Sequence, residues 1–87
     1  MDLLLMAVCE KLRQVGIVSR TSAAVLYAMV ENGLSYEEAR DTYAEFAGRA
    51  PEQVQSDLCY DVLRAGFDGM PAQIFAELRG EVSGIEN

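Results

Sequence analysis

YAEFAGRAPEQVQSDL, residues 43 to 58, decides how the chain folds. Ala44, Gly48 and Val54 stand at offsets of four and six. In two helices that meet across a tight turn, a small residue in the first permits close approach. A glycine makes the turn, and a branched apolar residue anchors the second helix. The spacing therefore predicts a helix-turn-helix, with an ordinary pair of packed helices as the alternative, since any tight αα turn shows the same residues. Pro51 suits the first position of the second helix, where its missing N–H costs nothing. Val54, Leu58, Val62 and Ala65 follow at helical spacing. The charge suits nucleic acid poorly, with Glu45, Glu52 and Asp57 against Arg49 alone.

Outward from this stretch, glycine and proline cut the chain into helix-length pieces, each with 3.6-residue periodicity and none with the alternation of a strand. The expected fold is all-α: five helices at about 2–15, 22–31, 36–47, 51–65 and 71–79 form one domain over 1–80, and 81–87 follows as a flexible tail. Helix one places Leu5, Val8, Cys9, Leu12 and Val15 on one face, with Gly16 closing it and Ile17 folding back. Helix two, after a Ser19/Thr21 cap, carries AAVLYAMV (residues 23–30), apolar all round, which predicts a central position. Ser35 and Glu38 form a capping box, with Leu34 and Ala39 as its staple. Helix three is expected to bury Tyr36, Ala39, Tyr43, Phe46 and Ala47. Pro71 opens the last helix, and Gly80 is expected to end it.

Composition narrows the function. Eighty-seven residues suffice for one modest core. The longest apolar run, eight residues from Ala23 to Val30, is far below the ~20 that span a bilayer. The opening MDLLLMAVCE has an acid at position 2 and no basic segment or small-residue cleavage site, so no signal peptide is expected. Cys9 and Cys59 lack a CxxC companion and the chain has no histidine, which disfavours zinc. Both are expected to be reduced, buried cysteines of a cytoplasmic protein. Fourteen acids against seven bases give −7, a field that opposes DNA and anionic membranes alike.

The opening LLLMAVCEKLRQVGIVSRTSAAVLYAMV, the core YAEFAGRAPEQVQSDLCYDVLRAGF and the closing QIFAELRGEV together resemble the C-terminal helix-turn-helix effector domain of the sporulation-initiation response regulator of endospore-forming bacteria. The likeness is one of pattern and spacing over about residues 3–82. It implies a bacterial transcription-regulating domain whose recognition helix is the fourth, with Glu52, Gln53, Gln55, Ser56, Cys59 and Tyr60 at the outward, contacting positions. The family reads DNA with basic and polar side chains there; this chain has Asp57 and Asp61 beside them and no arginine before Arg64. Over residues 35–66, seven acids against three bases (Arg40, Arg49, Arg64) leave −4, opposite to a DNA-binding footprint. Gln53, Gln55 and Ser56 can still hydrogen-bond base edges, but base contacts do not replace phosphate affinity.

Catalysis is not expected: there is no histidine, and no general base stands near a cysteine or serine. Glu37-Glu38 and Asp57/Asp61 are read as solvated acids, since a metal site needs several converging oxygens; no metal or cofactor is expected. Tyr27, Tyr36 and Tyr43 fall on buried faces, whereas Tyr60 is expected to be exposed. Leu3, Leu4 and Met6 widen the apolar face of helix one, a candidate homodimer contact. Three functions stay open: a regulatory domain that contacts a protein through helix four; a dimeric DNA-binding regulator with Arg40, Arg49 and Arg64 as phosphate contacts; and an acidic DNA mimic. The position of those arginines around Gln53, Gln55 and Ser56 separates the first two.

Overall fold

The computed structural model describes residues 2–86, and among them there are five helices and no strand. They are α1 (Leu3–Gln14), α2 (Arg20–Asn32), α3 (Tyr36–Ala47), α4 (Pro51–Arg64) and α5 (Pro71–Glu86). The Cα radius of gyration, 11.8 Å, matches the roughly 12 Å of a single compact body of this length. No helix of the described residues is long and apolar enough to cross a membrane.

Helix α2 is the axis of the fold. It packs against all four other helices, while α1 touches only α2 and α5 among the described residues. Val25, Leu26 and Met29 of α2 are buried among Val8, Leu12, Leu58 and Phe75 from its neighbours. Among the described residues Ser22 is the one fully buried polar residue, and it donates a 2.6 Å hydrogen bond to Asp61 Oδ2 of α4. That bond removes the cost of burying a lone hydroxyl and ties the central helix to α4.

Local signals account for the boundaries. The Ser19 and Ser35 side chains each accept from the backbone N–H three residues on, and Glu38 reaches back to Ser35 N–H at 3.0 Å, completing the capping box. Helix α1 ends where Gly16 takes a left-handed φ of 92° and Ile17 N–H returns to Leu12 O at 2.8 Å, burying Ile17. Gly48 does the same for α3: with φ 68° it lets Arg49 N–H reach Ala44 O at 2.9 Å. The end of α4 repeats this bond from Phe67 N–H to Val62 O.

Four expectations need correction. Helix α5 does not stop at Gly80: it runs on to Glu86, and Val82 is fully buried, because one glycine costs a helix only about 1 kcal/mol and packing of Val82 outweighs it. Residues 81–86 are thus helix instead of tail, while Asn87 lies outside the described residues. On α1, the inward row is Leu4, Val8, Leu12 and Val15; Leu5 and Cys9, each one residue on, are turned about 100° away and exposed. Cys9 is therefore not a buried hydrophobe; Cys59 is half-buried, and both thiols are free. On α3, the buried side shifts from Tyr36 and Ala39 to Ala44, where α4 approaches. Phe46, about 160° round from Ala44, is 89% exposed, Ala47 is exposed, and Tyr43 is only half-buried.

If residues 81–86 are part of the folded body, Val82→Ala will lower unfolding free energy by about 2 kcal/mol, the scale of a truncated core side chain. Urea unfolding measures it, and a tail at this position would give no change.

Candidate functional site

The region singled out by the sequence is the α3–turn–α4 unit. Ala44 and Val54 are both buried and Gly48 makes the turn, so the three spaced residues perform the packing their types suggest. Pro51 is in the first turn of α4, which has no side-chain cap; Ala50 precedes it in extended conformation.

Three of the residues expected to face outward do so and are largely free: Glu52, Gln53 and Ser56 are exposed and make no side-chain hydrogen bond or ion pair among the described residues. Tyr60 is 59% exposed, as expected, with Arg64 Nη1 3.5 Å from its hydroxyl. Gln55 and Cys59 instead lie half-buried between helices. Gln55 Oε1 accepts from the Tyr36 hydroxyl at 2.7 Å and from Arg40 Nη1 at 3.0 Å, and Gln55 Nε2 donates to Cys59 Sγ at 3.5 Å. The amide oxygen fastens α3 to α4, and the amide nitrogen is used within α4. The signal for this was present: Gln55 and Cys59 are each one residue past the buried Val54 and Leu58, at the margin of the apolar stripe.

The arginines do not form a basic edge. Arg40 Nε donates to Asp41 at 3.0 Å while its guanidinium carbon lies 5.9 Å from the Tyr36 ring centroid. Arg49 pairs with Asp57 at 2.8 Å across the turn, and of the three only Arg64 has no acid within ion-pair distance among the described residues. The hydrogen bond from Arg40 to Asp41 raises the Arg40 pKa further, so it stays charged but locally neutralised. Asp61 is occupied by Ser22, and Glu38 is held below the usual carboxylate range by its bond to the Ser35 backbone.

The outward row of α4 is Gln53, Ser56, Tyr60 and Leu63, spaced three, four and three and exposed throughout. Leu63, 71% exposed, was missed because the pattern of buried residues draws attention to Val62 beside it. Met70, after the helix, is also exposed, and a groove between α4 and the following connection is lined by Cys59, Leu63, Phe67 and Met70. The polar half of the row thus leads into an apolar half. On α1, Leu3 and Met6 are exposed, but Leu4 packs against the core and is not available to a partner.

No group of three or more potential metal ligands converges among the described residues. No protein-family model, curated protein or solved structure matches the chain.

Tyr36, buried against Phe75 with ring centroids 5.6 Å apart, has its pKa pushed up to about 12, first by burial and then by the nearby Cys59. A phenol whose folded pKa is above its unfolded value of 10.0 contributes stability that is complete below pH 10 and is lost as pH rises toward 12. Stability should fall over that window and fall less in Tyr36→Phe; urea unfolding at several alkaline pH values reads the difference.

Proposed function

We propose that the chain is a small helix-turn-helix-type regulatory domain that acts in transcriptional regulation by contacting a protein through α4. The observation that supports it most is the exposed row Gln53, Ser56, Tyr60 and Leu63, which offers hydrogen-bonding groups and apolar area with no run of free cations. Protein contacts are centred on aromatic and apolar anchors ringed by polar groups, and Tyr is enriched among those that dominate affinity. The resemblance to the sporulation effector domain supplies the regulatory context. The α3–turn–α4 arrangement of Ala44, Gly48 and Val54 is consistent with that resemblance.

Two other functions have less support. Retained DNA binding needs cations free to neutralise phosphates, but Arg40 and Arg49 are paired with carboxylates and Gln55 is committed to Tyr36 and Arg40. A DNA mimic needs free, aligned carboxylates, yet Asp57, Asp61 and Glu38 are engaged within the fold, and the row of Glu37, Asp41 and Glu45 is interrupted at its centre, where Asp41 pairs with Arg40.

Replacing Tyr60 and Leu63 with alanine should abolish capture of the protein partner while shifting stability by no more than about 0.5 kcal/mol, as expected for exposed positions. Capture that survives the double variant removes α4 as the contact face. On random duplex DNA the wild-type chain should cause no mobility shift even at about 50 mM salt, where phosphate-driven binding is strong. A shift that fades steeply with added salt would establish the DNA-binding alternative instead.

A further inference from the structure

The chain is acidic as a whole, yet residues 11–30 contain Lys11, Arg13 and Arg20 and no acid. They span the end of α1, the connection and most of α2. Here Cys9, Leu12, Ile17 and Ala23 line an open apolar hollow of about 260 Å³, with Val18, Arg13 and Arg20 around it. Its volume is below the roughly 300–1,000 Å³ of sites that enclose a drug-sized ligand, which suits a single inserted side chain better. Arg13 is held by Glu10 at 2.7 Å, and Lys11 by Glu81 at 3.1 Å. Arg20 has no acid within ion-pair distance among the described residues, so it is the uncompensated cation of this rim.

The complementary feature lies on α3. Phe46 is 89% exposed, as fully presented as any large apolar side chain of the fold. Beside it Glu45 ends a row formed with Glu37 and Asp41 at four-residue spacing, which places these carboxylates on one side of the helix. Glu45 makes no ion pair or side-chain hydrogen bond among the described residues. An aromatic knob beside a free acid and an apolar hollow beside a free base match in both shape and sign.

We propose that Phe46 of one copy of the chain seats in the hollow between α1 and α2 of a second copy, with Glu45 meeting Arg20. Within one molecule no residue of α3 lines the hollow and Phe46 is 89% exposed, so the knob does not fill the hollow of its own chain. The hollow adjoins the C-terminal end of α4, where a Cβ at Gly16 would stand 3.7 Å from the Ala65 side chain and residues 16–19 share a groove with Tyr60 and Arg64. Phe46 instead precedes the N-terminal end of α4, whose 14 residues span roughly 20 Å. Each contact therefore joins unlike surfaces, the knob of one copy and the hollow of the other. Two chains at −7 repel at long range, so the association is weak and develops at high protein concentration.

Sedimentation equilibrium of the full chain tests this. The weight-average mass of the wild type should rise with concentration, and Phe46→Ala or Arg20→Glu should each raise the dissociation constant roughly tenfold or more, through loss of an aromatic anchor or a like-charge clash. The two variants mixed in equal amounts should regain association and stop at dimers, because F46A retains an intact hollow and R20E an intact knob. Leu3→Ala/Met6→Ala should associate like the wild type. Both contact substitutions fall at exposed sites, and Arg20→Glu puts an acid in the first turn of α2, where the helix dipole favours it. Circular dichroism verifies that each variant is folded. A wild type that stays monomeric at every concentration overturns the proposal, as does a mixture that associates no better than either variant alone.

Discussion

Every other element depends on the burial of α2. Its apolar residues surround the helix, and a helix of that kind is stabilised by packing against several neighbours. Four helices pack against it, burying Ser22, Val25, Leu26 and Met29 and leaving Ala23, Ala24, Tyr27, Ala28 and Val30 half-buried, and α5 stays helical across Gly80, where Val82 joins the same core. The fully buried Ser22 hydroxyl is compatible with this packing because Asp61 accepts its hydrogen bond, and that bond ties α4 to the central helix. A carboxylate that resembles a surface acid in the sequence is therefore part of the framework.

The same economy governs α3 and α4. Tyr36 delivers its ring to Phe75 and its hydroxyl to Gln55, so one residue joins the core to the junction of the two helices. Arg40 closes the junction from outside, against Gln55, Asp41 and the Tyr36 ring. Arg49 and Asp57 bridge the turn. Individually, such partly exposed pairs contribute only about 0–1 kcal/mol. Their larger consequence is that polar groups able to serve a ligand are already paired with one another.

Much of this architecture is legible in the sequence because its strongest signals are local. The capping box at Ser35 and Glu38, Pro51 after Gly48, and Gly16 followed by Ile17 are backbone requirements that a short window reveals, and α3 begins and ends where they indicate. The side chains were harder to place, since burial depends on which neighbour covers which turn. Phe46 shares the helical phase of Ala39, yet α4 covers Ala44 and leaves Phe46 in water. Cys9 follows Val8 so closely that a face misread by one residue reverses its environment. Gln55 is the clearest case in the candidate site: its type suggests a base-reading group, while its neighbours from α3, fifteen and nineteen positions earlier, make it a structural tie.

This pairing bears directly on what the α3–turn–α4 unit can bind. A duplex phosphate approaching Arg40 or Arg49 would have to displace Asp41 or Asp57 from the guanidinium and then remain beside the released carboxylate. The new charge pair would replace an old one, with added repulsion. Affinity for DNA derives largely from cations that neutralise phosphates and release the condensed counterions, and a cation already neutralised contributes little to either process. A protein surface faces no such cost, because it can use Gln53 and Ser56 as hydrogen-bonding groups and cover Tyr60 and Leu63 without disturbing either ion pair. The outward row of α4 is thus better matched to a partner that buries apolar area than to one that supplies negative charge.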